Sequence, residues 1–122
     1  MASKSKLKKL IKLAEKGHAE SQNKLGIIYI EGDVVAQDES MAMKWYRMAA
    51  DQGYAEAQYN LGVMYENSKG VAQDYSAAVN WYRMAADQGD VQAQYNVGIM
   101  YSKGHGVAQD YSAAMKWYRM AA

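Results

Sequence analysis

The chain has 122 residues, with 14 Lys plus Arg against 13 Asp plus Glu, half of its residues apolar and 22% charged, the balance of one soluble domain rather than of a disordered chain. No run of 18 apolar residues occurs, and Lys4, Lys6, Lys8, Lys9 and Lys12 interrupt the apolar positions near the amino terminus, so neither a membrane span nor a signal peptide is expected and the default compartment is cytoplasmic. Zero Cys excludes disulfides, thiolate metal sites and thiol nucleophiles, while zero Pro beside nine Met, eleven Tyr and three Trp points to helices packed through large side chains.

The first predicted helix lies near residues 6 to 16. Residues 1 to 16 hold six Lys and one Glu, about +5, and the remainder holds eight basic and twelve acidic groups, about −4, so the near-neutral total is a cancellation. A solvated face on an end helix accounts for the lysines, and nothing downstream supports a nucleic-acid partner or membrane insertion. Leu13-Ala14-Glu15-Lys16-Gly17 aligns with Ala49-Ala50-Asp51-Gln52-Gly53, which makes this helix the second half of a repeating unit.

The unit is 36 residues long. Ala55 to Ala86 falls on Val91 to Ala122 with 22 identities in 32 positions, and the segment from Ala19 matches both more loosely. Each unit reads as a helix A followed by a helix B, near 20 to 30 and 39 to 50, 55 to 66 and 75 to 86, and 91 to 102 and 111 to 122. In helix A, Ser21, Leu25, Ile28 and Tyr29 recur as Ala57, Leu61, Met64, Tyr65 and as Ala93, Val97, Met100, Tyr101, one helical stripe. In helix B the stripe is Met41, Ala42, Trp45, Met48, Ala49 and its two later copies. Asp38, Asp74 and Asp110 stand where a carboxylate caps helix B, and Gly53 and Gly89 follow its end. Gly26, Gly62 and Gly98 lie inside helix A at a propensity cost of about 1 kcal/mol each, which implies close approach of a large ring from helix B; Trp is the first choice. One such hairpin cannot enclose its apolar face, so the units are expected to stack into a continuous core.

The string Ala57-Gln58-x-x-Leu61-Gly62-x-x-Tyr65, Gly70-Val71-x-x-Asp74, Ala78-x-x-Trp81-Tyr82-x-x-Ala85-Ala86-x-x-Gly89 resembles the Sel-1-like repeat, a relative of the tetratricopeptide repeat, and the third copy fits it more fully with Gly104-His105-Gly106-Val107. Ser68, Val34 and Ser21 depart from the pattern and affect loop shape, not fold. The resemblance implies an all-α, right-handed α-α superhelix of about three hairpins preceded by a single helix: 1–18 as an N-terminal capping helix or half repeat, then 19–54, 55–90 and a truncated 91–122. It also implies an adaptor or scaffold for other proteins, with A helices lining a concave surface.

Helix A is apolar on two sides. Its second face carries Asn23, Ile27 and Ile30, then Tyr59, Val63 and Glu66, then Tyr95, Ile99 and Ser102, and this is the expected partner-binding face, non-catalytic, for a protein or peptide. Tyr59 and Tyr95 are expected to form an aromatic ladder. Trp45, Trp81 and Trp117 are assigned to the core, and Arg47, Arg83 and Arg119 to a solvated outer face.

No enzyme, cofactor or metal is expected: His18 and His105 sit apart at a turn and a loop, and the Ser-x-x-Lys spacings Ser5 to Lys8 and Ser21 to Lys24 lack the partner motifs of penicillin-recognising enzymes. The carboxyl end lacks a polar cap, so Met100, Trp117, Met120 and Ala121 are read as an open face for self-association, including a homodimer through the uncapped C-terminal helix. The alternative to a scaffold is a fragment or engineered array that mainly self-associates through this end.

Overall fold

A computed structural model describes residues 4–122; the first three residues of the expected half unit 1–18 lie outside it. The described residues form seven α-helices and no strand: α1 Lys4–Glu15, α2 Ala19–Glu31, α3 Glu39–Asp51, α4 Ala55–Glu66, α5 Tyr75–Asp87, α6 Val91–Lys103 and α7 Tyr111–Ala121. Helices α2, α4 and α6 are A helices, α3, α5 and α7 are B helices, and α1 holds the B register. Each helix packs chiefly on its neighbours in the chain, giving a linear stack.

Local chemistry sets the boundaries. Asp38, Asp74 and Asp110 accept the backbone N–H of Met41, Ala77 and Ala113 through Oδ1, each at 3.0 Å, and so begin the B helices. At the other end Gly53 and Gly89 take φ of +88° and +97°, the left-handed turn that carries each B helix into the next A helix.

The core lies between units. One cluster joins Ala42, Tyr46, Ala49 and Ala50 of α3 to Ala57, Leu61 and Met64 of α4, and the next joins Ala78, Val79, Tyr82, Ala85 and Ala86 of α5 to Ala93, Val97 and Met100 of α6. Each B helix is therefore completed by the A helix of the following unit, the nearest-neighbour logic of repeat stacking.

The ring that fills the glycine slots is Tyr, not Trp. A Cβ added to Gly62 would stand 2.5 Å from the Tyr82 ring and one added to Gly98 2.6 Å from Tyr118, and Gly26 faces Tyr46 in the same way. Trp45, Trp81 and Trp117 precede these tyrosines by one residue, a rotation of about 100°, and are half-buried, Trp81 packed on the α3–α4 cluster and Trp117 on the α5–α6 cluster. Arg47 lies 5.2 Å from the centre of the Trp81 ring and Arg83 lies 5.7 Å from that of Trp117, so these two outer arginines are exposed yet cover the indole of the next B helix. The helix B stripe is rotated by the same step: Tyr46 and Tyr82 are buried, whereas Met48 and Met84 are exposed.

Candidate interaction surface

The A helices owe their second apolar side to their position between two B helices. Ile27 and Ile30 pack on the α3–α4 cluster and Tyr59 and Val63 on the α5–α6 cluster, all of them half-buried. Each thus covers the seam that follows its own hairpin. Ile99 and Ser102 are likewise half-buried, and the Ser102 hydroxyl donates to the Ile99 carbonyl at 2.9 Å.

The two tyrosines do not ladder onto each other. Tyr59 stacks on Tyr82 with ring centres 5.6 Å apart, and Tyr95 on Tyr118 at 5.4 Å, both tilted by 42°. Each is a lid on the ring that plugs the glycine slot of its own hairpin. Tyr95 remains 53% exposed. In the first unit Asn23 holds the same position, but it is buried and accepts from Asn60 Nδ2 at 3.1 Å, so its amide joins α2 to α4.

Glu66 is also engaged. Its Oε1 accepts the Tyr82 hydroxyl at 2.6 Å. Burial, reinforced by the Glu66 carboxylate, holds the Tyr82 phenol well above its ordinary range; burial does the same for Tyr46, with Glu56 and Glu31 adding to it. What stays open is a groove of 390 Å³ lined by Tyr59, Val91, Gln92, Tyr95, Asn96 and Ala121. It combines the exposed Tyr95 ring with two amides, of Gln92 and Asn96, and two phenols, of Tyr59 and Tyr95, a composition suited to peptide recognition.

Both histidines have structural partners. His18 Nδ1 accepts the Ser21 backbone N–H at 3.3 Å and bonds its hydroxyl at 2.6 Å, capping α2; His105 stacks on Tyr75 at 4.2 Å. Among the described residues no group of three or more His, Asp or Glu side chains is placed to hold a metal ion, and no helix is long and apolar enough to cross a membrane.

The face assigned to self-association needs correction. Met100 is buried in the α5–α6 cluster, because it belongs to the seam that precedes its hairpin. Met120 is 54% exposed, but Met84 at the same position of an inner unit is 47% exposed, so Met120 reports the outer surface rather than an open end. Trp117 is half-buried and packs on the α5–α6 cluster, and Ala121 lines the groove shared with Tyr59 and Tyr95.

Sequence reasoning missed the glutamines. Gln22, Gln58 and Gln94 are buried and donate through Nε2 to the carbonyls of Ala14, Ala50 and Ala86 at 3.0, 3.2 and 3.2 Å. Gln52 and Gln88 in turn donate to Gln22 and Gln58 Oε1, each at 2.8 Å. Gln37, Gln73 and Gln109 close the A-to-B loops on the carbonyls of Ile30, Glu66 and Ser102. Their recurrence every 36 residues is the signal that could have found them.

An array of helical hairpins with its cores between units and one partly open face defines an α-solenoid repeat protein. The chain belongs to the Sel1 repeat family, which matches residues 19–54, 55–90 and 91–122. Among solved structures it is similar to a protective antigen present in uropathogenic Escherichia coli strains that displays an SLR fold, with 47% identity and a TM-score of 0.92 over 94% of this chain and 25% of that one. The chain thus spans about a quarter of that relative's length. It is also similar to a Sel1 repeat protein from Oxalobacter formigenes, with 40% identity and a TM-score of 0.85 over 94% of this chain and 86% of that one. Helicobacter pylori cysteine rich protein B shares the fold, with 24% identity and a TM-score of 0.75 over 98% and 90% of the two chains. No curated protein matches. Sel1 repeat proteins generally mediate protein–protein interaction, on a fold that is generally a non-catalytic scaffold.

Proposed function

We propose that this chain is a non-catalytic interaction scaffold that takes a peptide or protein segment on the A-helix side of the solenoid, in the groove between Tyr59 and Tyr95. The observation that carries this reading is the exposed Tyr95 ring, pinned by Tyr118 beneath it and flanked by the free amide of Gln92. A ring fixed before binding loses little entropy on contact, which is why such tyrosines become anchors. Ile27, Ile30, Val63 and Ile99 extend the apolar floor along the stack, and Asn96 and Ser102 add polar edges.

The test is selection of peptides from a random displayed library on the native chain, followed by titration of a selected peptide against Tyr95→Ala and the Tyr59→Ala, Tyr95→Ala pair. Affinity is expected to fall about ten-fold or more for the single change with helicity unchanged. Equal affinity for native and variant chains places the site elsewhere.

A further inference from the structure

The α3–α4 and α5–α6 seams follow one plan but are finished differently. At the α5–α6 seam the Tyr82 hydroxyl donates to Glu66 Oε1 at 2.6 Å, and the Tyr75 and His105 rings stack at 4.2 Å. At the α3–α4 seam all three of these partners change: Ile30 stands for Glu66, Glu39 for Tyr75 and Lys69 for His105. Tyr46, the counterpart of Tyr82, is 4% exposed, and its hydroxyl has no hydrogen-bond partner among the described residues. Burial, with Glu56 and Glu31 near by, keeps that phenol protonated, so it is a donor without an acceptor, a costly state for a buried group.

Tyr46 borders a cavity of 240 Å³ walled by Ile30, Val63 and Met64. Two further donors reach its border. Asn60 gives one N–H of Nδ2 to Asn23 Oδ1 at 3.1 Å and keeps the second. Lys69 is held loosely by Glu39, at 3.9 Å with both side chains partly exposed, and Glu39 is the one acidic residue on the border. What this seam lacks, set beside the other, is the carboxylate of Glu66.

We propose that the cavity binds a carboxylate on a short aliphatic stem, which takes the place at Tyr46 that Glu66 takes at Tyr82. The stem lies against Ile30, Val63 and Met64, and Tyr46, Asn60 and Lys69 meet the charge. The α5–α6 seam is then the same site with its ligand built into the chain. An ammonium would leave the phenol proton without an acceptor and face Lys69, and an uncharged carbonyl would forgo charge-assisted bonds, about twice as strong as neutral ones. Such a carboxylate has two sources, a free short-chain acid and a glutamate side chain of a bound segment. The site shares Ile30 and Val63 with the apolar floor of the A-helix side but does not involve Tyr95, so it stands or falls apart from the peptide groove.

Butyrate, which matches a glutamate side chain with a methyl in place of Cα, is the probe, and butyramide is its uncharged counterpart. The readout is the side-chain amide signal of Asn60 in proton–nitrogen NMR spectra of the native chain. Butyrate is expected to shift this signal saturably, and butyramide to bind about ten-fold more weakly or worse. Tyr46→Phe, which removes only the hydroxyl, should weaken butyrate about ten-fold. Ile30→Glu supplies the carboxylate from within and should abolish the butyrate response while raising Tm. Tyr95→Ala should leave the response unchanged. A short peptide with one interior glutamate, compared with its glutamine twin, assigns the source: binding at least ten-fold tighter than butyrate and lost in the twin supports a bound segment, and binding no tighter than butyrate supports a free acid. Butyramide binding as well as butyrate, no saturable shift with either, or an unaltered butyrate response in Ile30→Glu overturns the proposal.

Discussion

Tyr82 and Tyr118 fill identical slots, over Gly62 and Gly98, yet Tyr82 is also roofed by α6 while Tyr118 has only its own hairpin. The pair separates two sources of stability that a globular protein mixes. One is the ring-into-glycine contact within a hairpin, and the other is the cover given by the neighbour. In a stack of this kind, burial is a property of position in the array as much as of residue type.

The sharpest way to test this contrast is truncation. Tyr82→Ala should cost about 4 kcal/mol, the range for emptying a fully enclosed aromatic site, and Tyr118→Ala about half of that, both read from urea midpoints. Equal losses would show that the neighbour adds nothing and break the comparison.

A smaller effect should appear at high pH. Burial raises the phenols of Tyr46 and Tyr82 above the ordinary value of 10.0, so above about pH 10 the unfolded chain releases protons that the folded chain keeps. The stability from these rings is complete below pH 10 and falls as pH rises beyond it. Tyr82→Phe should flatten the fall by one ionisation, measured as the pH dependence of the urea midpoint from pH 8 to 11; an unchanged slope would assign the fall to other groups.

The smallest effect compares loops. Gly32 and Gly104 take φ of +71° and +70°, and Ser68 at the same position takes +57°, holding the shared loop shape despite its Cβ and donating from Oγ to the Val71 carbonyl at 3.1 Å. Ser68→Gly should raise stability by about 1 kcal/mol by relieving the left-handed strain, seen as a higher Tm. A lower Tm would mean that the hydroxyl bond outweighs the strain.

Helix number and position, the Asp caps and the stacking of incomplete hairpins were all legible from periodicity, because each depends on residues within a few turns of one another. The choice between Trp45 and Tyr46 was not legible. Adjacent large aromatics fit a stripe equally well, and only the packing shows that the tyrosine fills the glycine slot while the indole, as at Trp81, lies at the edge of the core under Arg47. Met48 and Met84 were misplaced for the same reason. Of the candidate face, the tyrosines could be located on the A helices, but their seating on Tyr82 and Tyr118 follows from the Trp-to-Tyr rotation and could not be had without it. Asn23 and Glu66 looked free because polar residues on a helix surface usually are; their partners, Asn60 and Tyr82, lie on other helices.

The glutamine bonds have an implication for how such a chain grows. They span 7, 8 or 30 residues, and all three intervals fit inside a 36-residue phase, so a copied segment arrives with its own donors and acceptors already matched. Lengthening by whole units leaves the polar interior solved at every internal junction. An insertion of one or two residues between Ala50 and Gln58 would instead break the bond that spans it and misalign the two units at that junction. Length in this architecture therefore changes in quanta, and the span of surface offered to a partner changes with it.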